Sequence, residues 1–246
     1  MGKIILYLLI FAVVFGENKD LNIYPSNIKQ LNFTTKAEKE FNENYKNFEN
    51  LLKIMSEKNL EYANLNEADK KLYDSVDETW PNYWQTITDG CSWYEGGGPI
   101  GFGSSSYLGE TSGDISYLPY HIHDFSYKTA WVEGVSGDGI GEWIEFYFKN
   151  SAPVTTLMIS NGYVKNQKSY EENGRVKKLK LYINGKVYGF LNLKDVCSEQ
   201  RFEIEPIKFE KEKICVLRLE IVEVYKGTKY DDTVISEINF DGIGVH

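Results

Sequence analysis

The chain has 246 residues, 42% hydrophobic and 15% aromatic, enough for one sandwich-sized core plus an accessory segment and inconsistent with global disorder. A formal net charge of −9 argues against a nucleic-acid partner, because neutralising phosphates needs a basic face. Three cysteines, Cys91, Cys197 and Cys215, are an odd number that closes no disulfide framework, and their spacings do not suit zinc.

At the start of the chain, Lys3 precedes an apolar run from Ile4 to Gly16, followed by polar Glu17-Asn18-Lys19-Asp20. This is the pattern of a secretory signal peptide over 1–16, and the run is short for a membrane span of roughly 20 residues. The expectation is a secreted, periplasmic or cell-surface protein with no membrane span after cleavage; a retained signal anchor is the alternative. Residues 17–34 carry little pattern and read as a leader.

A helical segment is expected over 35–83. Thr35-Lys36-Ala37-Glu38 fits a capping box, and Phe41, Tyr45, Phe48, Leu52 and Met55 stripe one helix face. A second helix starts near Asn66, carries Leu65, Ala68, Leu72 and Val76, and ends before Trp80-Pro81. The pair reads as a hairpin packed on the next domain; a coiled-coil seam is the alternative.

Strand patterning takes over after Trp84. Ile144, Phe146 and Phe148 alternate, as do Leu179, Leu181 and Ile183, and Asn184-Gly185 signals a hairpin returning through Val187 to Leu193. Further strands are expected around Phe202–Ile204, Ile214–Tyr225 and Val234–Phe240, with Cys215 in phase with Leu217, Leu219 and Ile221 as a buried small hydrophobe. Arg175, Lys177, Lys178 and Lys180 read as the solvated side of a strand, and Trp131 and Trp143 as core. Many short strands without intervening helices predict a mainly β, antiparallel jelly-roll sandwich over 88–246, preceded by the small helical hairpin.

The chemistry-bearing motifs are weak. Gly134 to Gly141 has the glycines of a phosphate loop, but a Trp-containing strand follows where a helix is needed. His121-Ile122-His123-Asp124, read as a strand, puts two imidazoles on one face without a third ligand at metal spacing. No nucleophile elbow occurs, and facing carboxylates cannot be read from sequence, so a glycosidase is only a minor alternative to a non-enzyme.

Three ordered blocks are more informative: His123 to Phe146 through Trp131 and Trp143; Ile159-Ser160-Asn161-Gly162-Tyr163 through Tyr170 and Asn173-Gly174-Arg175; and Leu219 to Phe240 through Tyr230-Asp231-Asp232. In this order they resemble the discoidin-like, galactose-binding-fold domain. The closest variant is the glycan-binding or translocation domain of secreted bacterial NAD glycohydrolase toxins, whose opening segment Gly90 to Pro99 also resembles. The resemblance covers about 88–244 and implies a jelly roll that recognises a glycan or glycoconjugate without turnover. An adhesin for surface proteins, without sugar specificity, is the main alternative. One departure is Glu95, where the family often carries a second cysteine.

Sugar recognition needs flat aromatic faces and fixed polar groups on loops of a rigid scaffold. The glycan-binding candidates are Trp93, Tyr94, Tyr163, Tyr170, Asn173, Arg175, Tyr225, Tyr230 and Asp231. No catalytic residue and no required cofactor are expected. The resemblance also implies a structural calcium, for which Asp124, Thr129 and Glu237 stand in the matching places, although the turn Asp124-Phe125-Ser126 has lost the family's Gly and second Asp.

Overall fold

The computed structural model describes residues 21–76, 82–86, 93–109 and 117–243. The apolar run at 1–16, Cys91 and the Trp80-Pro81 boundary lie outside the described residues. Among the described residues the elements run β1 (Asn22–Ile23), β2 (Asn27–Gln30), α1 (Thr35–Lys58), α2 (Glu67–Ser75), β3 (Pro99–Ser104), β4 (Trp131–Val132), β5 (Trp143–Lys149), β6 (Val154–Asn161), α3 (Gln167–Glu172), β7 (Gly174–Ile183), β8 (Lys186–Asn192), β9 (Ser198–Ile207), β10 (Ile214–Tyr225) and β11 (Thr233–Gly242).

Two mostly antiparallel layers share one hydrogen-bonded path, β2-β9-β6-β11-β7-β10-β5-β3, with β8 on β7. The path turns its corner at β11. Thr233 and Val234 run parallel to Gly174 and Arg175, whereas Glu237 to Asp241 run antiparallel to Thr156–Ser160 of β6. Period-two alternation then points both layers inward. Ile144, Phe146 and Phe148 of β5 and Leu217, Leu219 and Ile221 of β10 share one core with Leu157, Ile159, Phe202, Ile238 and Phe240. Phe240 closes the gap between layers, with its ring 4.9 Å from Phe146 and 5.1 Å from Phe148. The Asn184-Gly185 hairpin forms as its sequence requires, both residues taking positive φ, 49° and 76°.

Several expectations need correction. Trp143 is not core: it lies half-buried on the outer side of β5, with the Arg218 guanidinium 4.3 Å from its ring. Its alternation is in phase with Glu145 and Tyr147, and the cation gives the ring an outside partner. Arg175 is buried rather than solvated: with Val176 facing the core, Arg175 points to the other side of β7, where Tyr170, Asn173, Asp195 and Lys226 cover it. His121–His123 belong to a 3-10 turn spanning Pro119–His123 and not to a strand.

The helices form near the expected places, but on α1 it is Leu51 with Phe48 that is buried, and Leu52 of the expected stripe is exposed. The first is capped one residue earlier, by Thr34 accepting the Ala37 amide, and Glu38 instead takes the Trp84 indole N–H at 2.9 Å. Asn66 caps α2 through the Asp69 amide. Phe33, Phe41, Tyr83 and Trp84 pack against one another, and Phe33 reaches Tyr127 of the sandwich at 5.2 Å. Residues 21–30, which show no alternation, add β1 in parallel to β8 and β2 antiparallel to β9. All four β2 residues are exposed, so no apolar pattern could announce the strand. No helix among the described residues is long and apolar enough to cross a membrane.

Candidate functional site

Three connections meet at one end of the sandwich: β3 to β4, β6 to β7 through α3, and β10 to β11. They enclose a cavity of about 300 Å³ lined by residues of all three. The short α3 forms because Asn166 caps it, its side-chain oxygen accepting the Ser169 amide at 2.8 Å. The β10–β11 loop is stitched to the end of α3, with the Tyr230 and Lys229 amides donating to the Glu172 carbonyl at 2.8 and 3.1 Å. Gly227 permits this approach, since a Cβ there would lie 2.5 Å from backbone of Glu172 and Asn173. Beneath the loops, the Arg175 guanidinium donates to Asp195 from Nε at 2.7 Å and Nη2 at 3.1 Å, and to the carbonyls of Tyr170, Asn173 and Lys226.

Of the residues singled out for sugar, Tyr163, Asn173 and Tyr230 come together in this cavity. Tyr230 is exposed, and Tyr163 is a buried wall whose hydroxyl is pushed up to about 12 by burial. Asp231 is exposed on the same loop. Tyr170 and Arg175 are buried supports, the arginine lying 5.1 Å from the tyrosine ring. Trp93 belongs to the core, Tyr94 accepts the Phe240 amide, and Tyr225 donates to the Leu193 carbonyl, so these three sit apart from the cavity lining. Sequence reasoning missed Tyr117, Lys165, Ser169, Glu172 and Asp232 in the lining. Ser169 and Glu172 follow Asn166 at helical spacing, and that capping signal was the available clue.

The cavity is polar as well as aromatic. Lys165 places its ammonium 4.0 Å from the Tyr163 ring, and burial lowers its affinity for a proton. Burial, with the neighbouring Asp231 charge, raises Asp232 above the ordinary carboxylate range.

Asp124, Thr129 and Glu237 also converge. The Thr129 hydroxyl lies 2.9 and 2.8 Å from the two Asp124 carboxylate oxygens, and the Ser126 amide reaches Asp124 and Glu237, each at 3.1 Å. Glu237 is fully buried, and its Oε1 has no hydrogen-bond partner. Burial, then the Asp124 charge, lift Glu237 well above the usual carboxylate range. An orphaned carboxylate oxygen beside a second carboxylate fits a hard cation, with loop carbonyls available to complete its shell. Among the described residues no group of three or more His, Cys, Asp or Glu is placed to hold a metal, so any such site has two carboxylates at most. Two histidines border it: His121 Nδ1 lies 2.8 Å from Asp124, and His123 Nδ1 lies 3.7 Å from Glu237 Oε1 while meeting the Ile238 carbonyl at 2.8 Å, with burial lowering the His123 pKa to about 4.

None of the curated proteins matches the chain in sequence. Among solved structures, the tandem CBM32-1 and CBM32-2 domains of Clostridium perfringens ZmpB align at 14% identity and a TM-score of 0.45, covering 85% of this chain and 54% of that one. The same domains in complex with GalNAc align at 11% and 0.43, covering 68% and 37%. The C-terminal domain of a Bacteroides fragilis chitobiase aligns at 12% and 0.40, covering 61% and 96%. This chain thus spans about half or less of the ZmpB chains it matches. The profile of the NAD glycohydrolase translocation F5/8 type C domain matches residues 93–241, which include both layers from β3 to β11 and the whole described lining of the cavity. With more than half its length in that match, the chain belongs to the NAD glycohydrolase translocation F5/8 type C domain family.

Proposed function

We propose that this is an exported, non-catalytic carbohydrate-binding protein whose site is the cavity between the three loops at the end of the sandwich. The observation that carries the reading is the lining itself: an exposed Tyr230 ring and the Tyr117 ring stand beside Ser169, Glu172, Asn173, Lys165 and Asp232 in about 300 Å³, a volume suited to one sugar ring. Aromatic faces take the C–H side of a pyranose, and the polar groups take its hydroxyls. The non-catalytic part of the reading rests on membership of a translocation-domain family, with Glu172 and Asp232 of the lining taken as hydrogen-bond acceptors for sugar hydroxyls. Export rests on the apolar run at 4–16.

Glycan-array screening of the mature chain, followed by titration of the best ligand, tests this. Tyr230→Ala is expected to weaken binding about tenfold, by loss of one stacking face. Because Tyr230 is an exposed loop residue, stability should change by no more than about 0.5 kcal/mol. A flat array, or an unchanged affinity in Tyr230→Ala, would sink the reading.

A structural calcium is the second part of the proposal. Asp124, Thr129 and Glu237 would hold it, and its role is to fix the 124–129 loop against β11; it takes no part in a reaction. Chelator is expected to lower the melting temperature and calcium to restore it, the ion adding about 2.7 kcal/mol of stability when it is at a hundred times its dissociation constant. Glu237→Gln should remove the calcium response. An unchanged melting temperature in chelator overturns this part alone.

A further inference from the structure

The sugar cavity carries charge of both signs, and two of its charged groups, Lys165 and Asp232, make no ion pair among the described residues. Lys165 makes no ion pair among the described residues; its ammonium rests on the Tyr163 ring at 4.0 Å. Asp232 lines the same cavity and makes no ion pair among the described residues. Glu172, on the third side, is held loosely by Lys168 at 3.9 Å and Lys229 at 4.0 Å.

We infer that this arrangement is a charge filter, admitting uncharged, hydroxyl-rich pyranosides and rejecting both uronates and free amino sugars; the inference rests on the carbohydrate reading of the cavity. A carboxylate such as Asp232 only accepts hydrogen bonds, and the Lys165 ammonium only donates them. A sugar hydroxyl does both, so one neutral ring can satisfy the two at once. N-acetylated amino sugars count as neutral here. A uronate finds Lys165 but brings its charge towards Asp232 and Glu172, whereas a protonated amino sugar finds the carboxylates but brings its charge towards Lys165. Partial burial weakens screening by water and salt, so each mismatch is costly. Discrimination of this kind comes from the repulsive element as much as from the attractive one.

The test is calorimetric titration of the full chain with one methyl pyranoside in three matched forms: the hexoside, its 6-carboxylate and its 2-amino derivative. The hexoside should bind at least about tenfold more tightly than either charged form. Lys165→Met should bring the amino sugar to within about threefold of the hexoside and leave the uronate rejected; Asp232→Asn should narrow the gap for the uronate and leave the amino sugar rejected. Lys165→Arg, which keeps the charge, should still reject the amino sugar. Melting curves of all three variants establish that they fold. If a charged form binds as tightly as the hexoside, or if the two charge-removing variants scale all three ligands by one factor, the filter is overturned while sugar binding stands. If none of the three forms binds and the glycan array is also flat, the filter and the carbohydrate reading both fall.

Discussion

Arg175→Ala is expected to cost about 3 kcal/mol of folding stability and to loosen the floor of the cavity. The guanidinium side chain is 10% exposed and makes five hydrogen bonds, two to Asp195 and one each to the carbonyls of Tyr170, Asn173 and Lys226. Alanine would leave those carbonyls without this donor, Asp195 with the Tyr170 hydroxyl at 3.1 Å in place of the fork, and the Tyr170 ring without its cation. Asp195 is 38% exposed, so water screens part of the pair and the cost falls at the lower end for a buried ion pair. Arg175→Lys should recover little, because a single ammonium cannot reproduce a planar fork that serves one carboxylate and three carbonyls. Urea unfolding measures the loss, and amide exchange in 169–173 and 226–232 should quicken in step with it.

The ion pair also predicts a pH dependence. Hydrogen bonding to Arg175 holds Asp195 below its ordinary 3.8, so the folded state keeps the carboxylate charged after the unfolded chain has begun to take up protons. A depressed folded pKa contributes stability that is fully present above about 5 and is lost as the pH falls through 3.8 and then through the folded value. The gap between wild type and Arg175→Ala should therefore be flat near neutrality and close in acid. A loss under about 1 kcal/mol, or a gap that widens in acid, contradicts the assigned role.

Trp131→Ala should be the most damaging single change, at about 4 kcal/mol. The indole is wholly buried, and its Nε1 donates to the Ser106 carbonyl at 3.0 Å, holding the chain after β3 against β4. The neighbouring Ser106 hydroxyl in turn accepts the Gly134 amide at 2.9 Å and donates to Glu142. Removing the ring leaves a void in a dry core and an unpaired carbonyl; Trp131→Phe refills most of the void and should cost roughly half as much. Trp143→Ala is the control. On the outer face it loses half its burial and one cation contact, about 1 kcal/mol. Equal losses for Trp131 and Trp143 would contradict the assignment of one to the core and the other to the surface.

The comparison of these tryptophans shows what sequence could and could not disclose. Alternation announced β5, β7 and β10, because each has one buried side, and Asn184-Gly185 announced its turn through the need for positive φ. Alternation does not say which phase faces inward when both sides carry rings, and there Trp143 was misplaced. The lining of the candidate cavity was half legible. Tyr163, Asn173 and Tyr230 were found because they lie on loops, yet loop position alone could not separate them from Tyr170 and Arg175, which the fold of α3 draws underneath. Lys165 and Asp232 carry no pattern of their own. They become meaningful only when β11 brings the two connections to the same end of the sandwich. The convergence of Asp124, Thr129 and Glu237 came from resemblance, since more than a hundred residues separate Glu237 from the other two.

The earliest described strands carry a consequence for the order of events during synthesis. Asn27 is partnered by Arg201 and Asn22 by Phe190, so β1 and β2 have no place to settle until nearly two hundred residues have emerged. Such distant closures slow folding and leave the rims of β8 and β9 temporarily uncovered. A chain released early should therefore stay open and prone to self-association, and the native sandwich should form only once β10 and β11, the interior strands of the path, have followed β9.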